Sequence, residues 1–172
     1  LVVGSDFNPE MGFVRRKDFR QTAAMGRFSP RPTSISWIRQ VSLQFDLGHL
    51  ENERTGILEN QNRAGEFKVE LENSDQFKIT YIDTYENLLE DAHISGATIT
   101  KGDYSFPDVK MDYTFGPQRP YSGNLSVRRG EYYGGTVTSL GMSRARMEIT
   151  PQFSFQPSIS FNWLSLPQGQ FD

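Results

Sequence analysis

Residues 153–163 read Phe-Ser-Phe-Gln-Pro-Ser-Ile-Ser-Phe-Asn-Trp. In an extended strand, successive side chains point to opposite sides. One face therefore carries Phe, Pro, Ile and Trp, and the other carries only Ser, Gln and Asn. A strand of roughly 10 residues with this alternation is typical of transmembrane β-strands. A strand of a soluble sandwich, with its apolar face on the core, has the same pattern, so the interpretation depends on whether the pattern recurs.

The alternation does recur along most of the chain. It predicts an all-β fold, an antiparallel up-and-down meander of about eight strands. The segments with strand character are residues 21–28, 37–47, 66–72, 77–81, 109–115, 121–128, 137–149 and 153–163.

The alternation also sorts the side chains into two sets. If the meander is part of an outer-membrane β-barrel, the apolar set faces lipid: Val41, Leu43, Phe45, Phe67, Val69, Phe77, Ile79, Val109, Met111, Phe153, Phe155, Ile159, Phe161 and Trp163. The charged set then faces the lumen: Lys68, Glu70, Lys78, Lys110, Asp112, Arg128, Arg144, Arg146 and Glu148. Val137 belongs to the apolar set by the same alternation, and Arg39 is an exception that could reach lipid headgroups from a strand end.

The breaks between strands favour the membrane interpretation. Compact turns at residues 29–34, 73–75, 116–120 and 150–152 alternate with longer loops at residues 48–56, 86–103 and 129–135. Alternate connections of a meander lie at the same end of the sheet. Outer-membrane barrels have this asymmetry between short and long connections, and a Greek-key sandwich has no reason for it.

Two regions are expected. Residues 1–20 form an irregular leading segment whose Arg15-Arg16-Lys17 cluster lies beside acidic residues, and residues 21–172 form the meander. The 172 residues contain no cysteine, which excludes disulfides, thiolate metal sites and cysteine nucleophiles. The net charge of −3 argues against a nucleic-acid surface.

Candidate chemistry is sparse, and we expect no catalytic residue, cofactor or metal. His49 and His93 fall in predicted loops without a second histidine at metal spacing. Two acidic groups are weak candidates, for a calcium site and for a carboxylate pair respectively: Asp103, Asp108 and Asp112, and Glu86, Glu90 and Asp91. Tyr132 and Tyr133, beside two glycines, are candidates for contact with a loop ligand such as a sugar, or for an aromatic girdle at the membrane interface.

An ordered set of short motifs carries a resemblance to a known family. The motifs are residues 6–16 (DFNPEMGFVRR), 28–32 (FSPRP), 113–119 (YTFGPQR), 123–127 (GNLSV), 133–135 (YGG), Asn162-Trp163 and 166–169 (LPQG). Together they resemble the C-terminal part of the bacterial family catalogued as domain of unknown function 5916. That family joins an N-terminal domain similar to carbohydrate-binding family 9 to a long barrel-like region. The resemblance implies a Gram-negative outer-membrane location and supplies no catalytic residues. It also implies that this chain is a piece of a larger barrel, without the N-terminal module.

The resulting expectation is a non-enzymatic segment of an outer-membrane β-barrel with a structural, pore or export role linked to glycan handling. Its partners would be membrane lipid, a glycan and the rest of the parent barrel. A soluble or periplasmic all-β carbohydrate-binding module is the alternative.

Overall fold

A computed structural model describes residues 1–4, 18–94, 97–150, 152–166 and 169–171. All the regular structure in these residues is β-strand. The strands are Val2–Val3 (β1), Phe19–Phe28 (β2), Ile38–Asn52 (β3), Leu58–Leu71 (β4), Gln76–Leu88 (β5), Ala92–Ile94 (β6), Ala97–Ile99 (β7), Gly102–Phe115 (β8), Tyr121–Tyr132 (β9), Gly135–Thr150 (β10), Phe153–Phe155 (β11), Ile159–Leu166 (β12) and Gly169–Phe171 (β13).

The strands form an antiparallel up-and-down sheet of about 10 strands in the order β1-β2-β3-β4-β5-β8-β9-β10-β12-β13. Strands β6 and β7 form a separate hairpin inserted between β5 and β8. Strands β11 and β12 both pair with β10, so they are two parts of the strand predicted at residues 153–163. They are separated at residues 156–158, where Pro157 has no amide hydrogen to donate to a ladder.

The all-β meander is confirmed, and each of the eight predicted strands has a counterpart. Over the described residues the sheet does not close into a barrel, and its outermost strands are β1 and β13. The short strand β1 pairs with the start of β2, within the region expected to be irregular. The basic cluster at residues 15–17 lies outside the described residues.

The connections lie at two ends of the sheet, as a meander requires. Residues 29–37, 72–75, 116–120 and 151–152 connect strands at one end, here called the proline end, and residues 53–57, 89–101 and 133–134 at the other, the hairpin end. The expected sorting by length is wrong. The connection of residues 29–37 is longer than that of residues 53–57, and strands β9 and β10 are joined by Tyr133 and Gly134 alone.

Polar ladders explain this difference, because strands continue where the apolar alternation stops. Beyond the apolar residues, β5 and β8 are joined by side chains: Ser105 donates to Asp83 at 2.9 Å and Tyr85 donates to Asp103 at 2.6 Å. His49 and His93, expected in loops, lie in β3 and β6 for the same reason. Hydrophobic periodicity detects only the part of a strand that has one apolar face.

The apolar side chains of the sheet are more exposed than the polar ones. On β3, the side chains of Phe45 and Leu47 are 62% and 54% exposed, whereas Ser42 is 2% exposed. On β8, Met111 is 47% exposed between Asp108 and Asp112, which are 5% and 3% exposed. The polar side chains of these strands are thus buried more deeply than the apolar ones.

Four register shifts interrupt the ladders of the described strands, and two of them bear on the predicted faces. The register shifts between Ile38 and Gln40, which takes Arg39 out of the ladder, and its guanidinium donates to Glu70 at 3.0 Å and to the Glu72 carbonyl at 2.7 Å. A second shift, between Ser143 and Arg146, reverses the faces along β10. The assignment of Val137 to the apolar set is therefore wrong, because Val137 pairs with Gly130 on the polar face.

Candidate functional site

The apolar face is built from rows of side chains that run across the sheet. Directly paired residues share a face, so the ladders define each row. The first row is Val41, Val69, Phe77, Tyr113, Leu125, Met142 and Ile159, and the second is Phe28, Leu43, Phe67, Ile79, Met111, Val127, Leu140 and Phe161. Neither row contains a charged residue, so the apolar surface is continuous across the central strands.

A third row marks where this surface ends on the side of the hairpin end. It contains Gly26, Phe45, Gly65, Tyr81, Val109, Arg129, Thr138 and Trp163. The next row holds the directly opposed pair Arg63 and Asp83. The second row contains no tyrosine or tryptophan. On the apolar face, Tyr81 and Trp163 lie on the side of the hairpin end, and Tyr113 and Tyr121 on the side of the proline end, where Trp37 directly precedes β3. Amphipathic aromatic side chains prefer such boundaries between apolar and wet surroundings.

The residues predicted to face lipid all belong to this apolar surface by register, with one irregular case. Twelve of them lie in the three rows, and Phe155 pairs with Met147 beyond the second bulge. Phe153 pairs with Thr150 after a further register shift and is 56% exposed. Leu140 and Met142 were missed, because the bulge on β10 hides their register from simple alternation.

The polar face carries a set of ion pairs that crosses β4, β5, β8 and β9. Lys78 lies 3.6 Å from Glu66 and 3.9 Å from Asp112, while Lys110 lies 3.0 Å from Asp112. Lys68 and Glu70 lie on the same face by register. The charges predicted to line a lumen on these strands thus share the face opposite the apolar rows.

The three charged residues predicted on β10 behave differently. Arg146 and Glu148 return to the polar face after the second bulge and pair with each other at 2.7 Å. Arg144 lies within the bulge at a φ of 51°, so no ladder pair assigns it to the polar face. A positive φ at a residue other than glycine is uncommon and marks local strain.

An aromatic cluster lies at the hairpin end, where Tyr132 and Tyr133 are joined by two residues of β8. Tyr133 packs edge-on against Tyr104 and Phe106, with ring centroids 4.9 Å and 4.8 Å apart, and Phe106 lies 5.6 Å from Tyr132. The sequence offered no signal for Tyr104 or Phe106, since their contact with the tyrosine pair depends on the pairing of β8 with β9.

The two tyrosines have different roles in this cluster. Tyr133 is buried, and its hydroxyl donates to Glu86 at 2.9 Å. Burial and, next, this hydrogen bond to a carboxylate raise the pKa of Tyr133 well above its ordinary value. Tyr133 is therefore a protonated structural donor. Tyr132 is partly exposed and lies on the polar face. Neither tyrosine therefore belongs to the apolar face, where an aromatic girdle at the membrane interface would lie.

Beside this cluster, a cavity of about 580 Å³ opens on the polar face. Its walls include Phe106, Tyr132, Asp108, Lys110 and Arg128. The Arg128 Nε donates to Asp108 Oδ2 at 2.5 Å, which fixes the guanidinium at one edge. We call this cavity the Arg128 cleft.

The acidic groups noted in the sequence are not brought into one cation site. Asp103 accepts hydrogen bonds from Tyr85 and Asn87 on the face opposite Asp108 and Asp112. Glu86, Glu90 and Asp91 line a separate cavity of about 570 Å³ near the β6–β7 hairpin. Within the residues that the structure describes, no group of three or more His, Asp or Glu side chains could hold a metal ion.

Comparisons of the chain with protein-family models, curated proteins and solved structures found no match. In the described part of the chain, no helix has both the length and the apolar character needed to span a bilayer.

Proposed function

We propose that this chain forms part of the wall of a β-barrel in a Gram-negative outer membrane, with its apolar face on lipid and its polar face on the lumen. Its role is structural, or that of a pore or export channel, and it is not an enzyme. The observation that carries the proposal is the pair of uncharged rows running across the sheet on the exposed face, opposite the ion pairs.

The energetics of the two faces support this orientation. Monomeric soluble proteins rarely expose a continuous apolar patch larger than a few hundred Å². A soluble sandwich would cover the apolar rows with a second sheet. The described residues supply no such layer, because the sole other sheet among them is the β6–β7 hairpin of six residues. Contact with lipid acyl chains would remove an apolar face of this kind from water.

The height of the apolar surface fits a bilayer. At roughly 3.3 Å per residue, residues 153–163 span at most about 33 Å, because the strand breaks at residues 156–158. A tilt of about 40° reduces this to roughly 25 Å along the membrane normal, the height of the lipid-facing band of outer-membrane barrels. The polar ladders of β5 and β8 then extend past the bilayer at the hairpin end.

The proposal includes a relation to domain of unknown function 5916 and, through that relation, a link to glycans. No family model matches the chain, and the difference between the two faces of the sheet supports the proposal. Closure of the wall requires further strands, from the rest of a parent barrel, at the edges β1 and β13, because an unpaired strand edge is not tolerated in hydrocarbon.

Tryptophan fluorescence in brominated lipid tests the proposal. The chain has two tryptophans, Trp163 in the third row and Trp37 toward the proline end. We expect phosphatidylcholine brominated high on the acyl chains to quench both, and lipid brominated near the bilayer centre to quench them less. The variants Trp37→Phe and Trp163→Phe separate the two signals.

A parallel experiment follows the parent protein in cells. We expect it to fractionate with the outer membrane and to migrate differently on a gel before and after boiling. Recovery in the soluble fraction, with no quenching of either tryptophan by brominated lipid, would exclude the membrane location.

A further inference from the structure

The Arg128 cleft has a polar side that is fixed in place. Arg128 is bound at Nε by Asp108, and among the described residues its two terminal Nη atoms have no hydrogen-bond partner. Asp108 is itself 5% exposed, and its Oδ1 is buried without a partner in the described structure. The Arg128 side chain is 49% exposed, so Asp108 orients its guanidinium while the terminal donors are open to solvent or to a ligand in the cavity.

Gly130 makes this arrangement possible. It lies directly opposite Asp108 on the neighbouring strand. A Cβ atom at Gly130 would lie 2.5 Å from Asp108 Oδ2 and 2.9 Å from the Pro107 carbonyl oxygen. The absence of a side chain thus leaves room for the carboxylate that holds Arg128.

The aromatic side of the cleft is also fixed. Phe106 and Tyr132 line the cavity with rings inclined by 37°. Tyr133 packs edge-on behind both rings and is held by its hydrogen bond to Glu86. Rings held in this way lose little conformational entropy when a ligand stacks on them.

The charges around the cavity are mixed. Lys110 and Arg128 carry positive charge, and Glu86, Asp108 and Glu131 carry negative charge. An anionic ligand would be repelled by three carboxylates, and a cationic ligand by two basic groups, so a net charge of either sign on the ligand is not favoured. Separate hydrogen-bond donors and acceptors beside aromatic rings suit a ligand with many hydroxyl groups and no charge.

We propose that the Arg128 cleft binds a neutral sugar ring of an oligosaccharide, with an apolar face of the ring on Phe106 and Tyr132 and its hydroxyls hydrogen-bonded to Arg128. The site lies on the polar face, so it does not depend on whether the apolar face contacts lipid.

Isothermal titration of the full chain in a zwitterionic, sugar-free detergent tests this site. The probes are maltohexaose, cellohexaose and xylohexaose, each raised to about 10 mM to detect weak binding. We expect saturable binding of at least one neutral hexasaccharide. Tyr132→Ala and Arg128→Gln should each weaken that binding by about tenfold, the effect of losing one stacking or charge-assisted contact.

Tyr121→Ala is the matched control, because Tyr121 is an exposed tyrosine on the apolar face at the proline end. It should leave the affinity unchanged. Far-ultraviolet circular dichroism confirms that each variant retains its strands, and Tyr132→Phe, which keeps the ring, should retain most of the affinity. Absence of binding to all three probes would overturn the proposal, as would equal affinity of the Tyr132→Ala chain or stronger binding of a sulfated hexasaccharide.

Discussion

The two faces of this one sheet reverse the arrangement of a soluble β-protein. The polar face holds the buried side chains Ser42, Asp108 and Asp112, and the apolar face holds exposed ones such as Phe45 and Phe161. On the polar face Lys78 of β5 pairs with Asp112 of β8, and Lys110 pairs with Asp112 within β8, while the second apolar row contains no charge. The apolar residues of this sheet are therefore not buried by other parts of the described chain. In the proposed membrane orientation, lipid covers them.

The largest test of this difference places one charge on each face. Met111→Arg puts a guanidinium in the second apolar row, and Thr80→Arg puts one on the polar face, directly opposite Glu66 on one side and Lys110 on the other. We expect Met111→Arg to lower the free energy of unfolding in phosphatidylcholine vesicles by about 2–4 kcal/mol, the cost of a basic residue at the bilayer midplane.

Thr80→Arg should change that free energy by less than about 1 kcal/mol, since an acidic neighbour and water are accessible. Denaturant titration of both variants in the same vesicles supplies the measurement. Equal losses from the two substitutions would mean that the faces do not differ in their surroundings.

How far sequence alone predicts this molecule depends on whether its alternation is regular. The predicted segments of β4, β5, β8 and β9, and of β3 from Gln40 onward, have their faces correctly predicted, because each keeps period two through its apolar part. The prediction failed where the backbone leaves that period. The bulge at Ser143 to Arg146 moved Val137 to the polar face and took Arg144 out of the ladder.

The sequence was least informative about the strand ends and the cleft. Polar ladders such as Asp83 with Ser105 have no hydrophobic signal, so long loops were expected where strands continue. Tyr132 was predicted as a contact for a ligand. Arg128 was predicted only to face the lumen, and no role was predicted for Phe106. Their meeting depends on β8 and β9 continuing past their apolar parts, to Gly102 and Tyr132, where the sequence has no strand signal.

A second test concerns how tightly the polar face is packed. Gly130→Ala introduces a Cβ atom 2.5 Å from the side-chain oxygen Asp108 Oδ2 and 2.9 Å from the backbone carbonyl oxygen of Pro107, which has little freedom to move. We expect a loss of about 1–3 kcal/mol in the free energy of unfolding, the usual cost of overpacking. Gly26→Ala is the control, because nothing lies within 4 Å of its added Cβ atom. If both substitutions left the denaturation midpoint unchanged, the polar face would not be the packed one.

The smallest expected effect lies at the boundary of the apolar face, at the proline end. Asp75, in the turn of residues 72–75, accepts hydrogen bonds from the Tyr113 hydroxyl at 2.8 Å and the Gly116 amide at 2.7 Å, and pairs with Arg119 at 2.7 Å. Burial alone would raise the pKa of Asp75. The Gly116 amide, the Tyr113 hydroxyl and the Arg119 charge outweigh burial and hold that pKa below its ordinary value.

A lowered pKa means that the folded chain binds this proton less readily than the unfolded chain, so Asp75 stabilises the fold above its unfolded pKa. That contribution is lost as the pH falls from about 4 through the lower folded pKa. Asp75→Asn should therefore cost about 1–2 kcal/mol near neutral pH and progressively less in acid. Glu72→Gln, in the same turn but exposed, should not alter the acid dependence. Denaturant titrations of the three chains at several pH values between neutral and acid give the free energy of unfolding as a function of pH. Parallel curves for the parent chain and Asp75→Asn would contradict the prediction, because they would mean that the charge of Asp75 does not stabilise this turn.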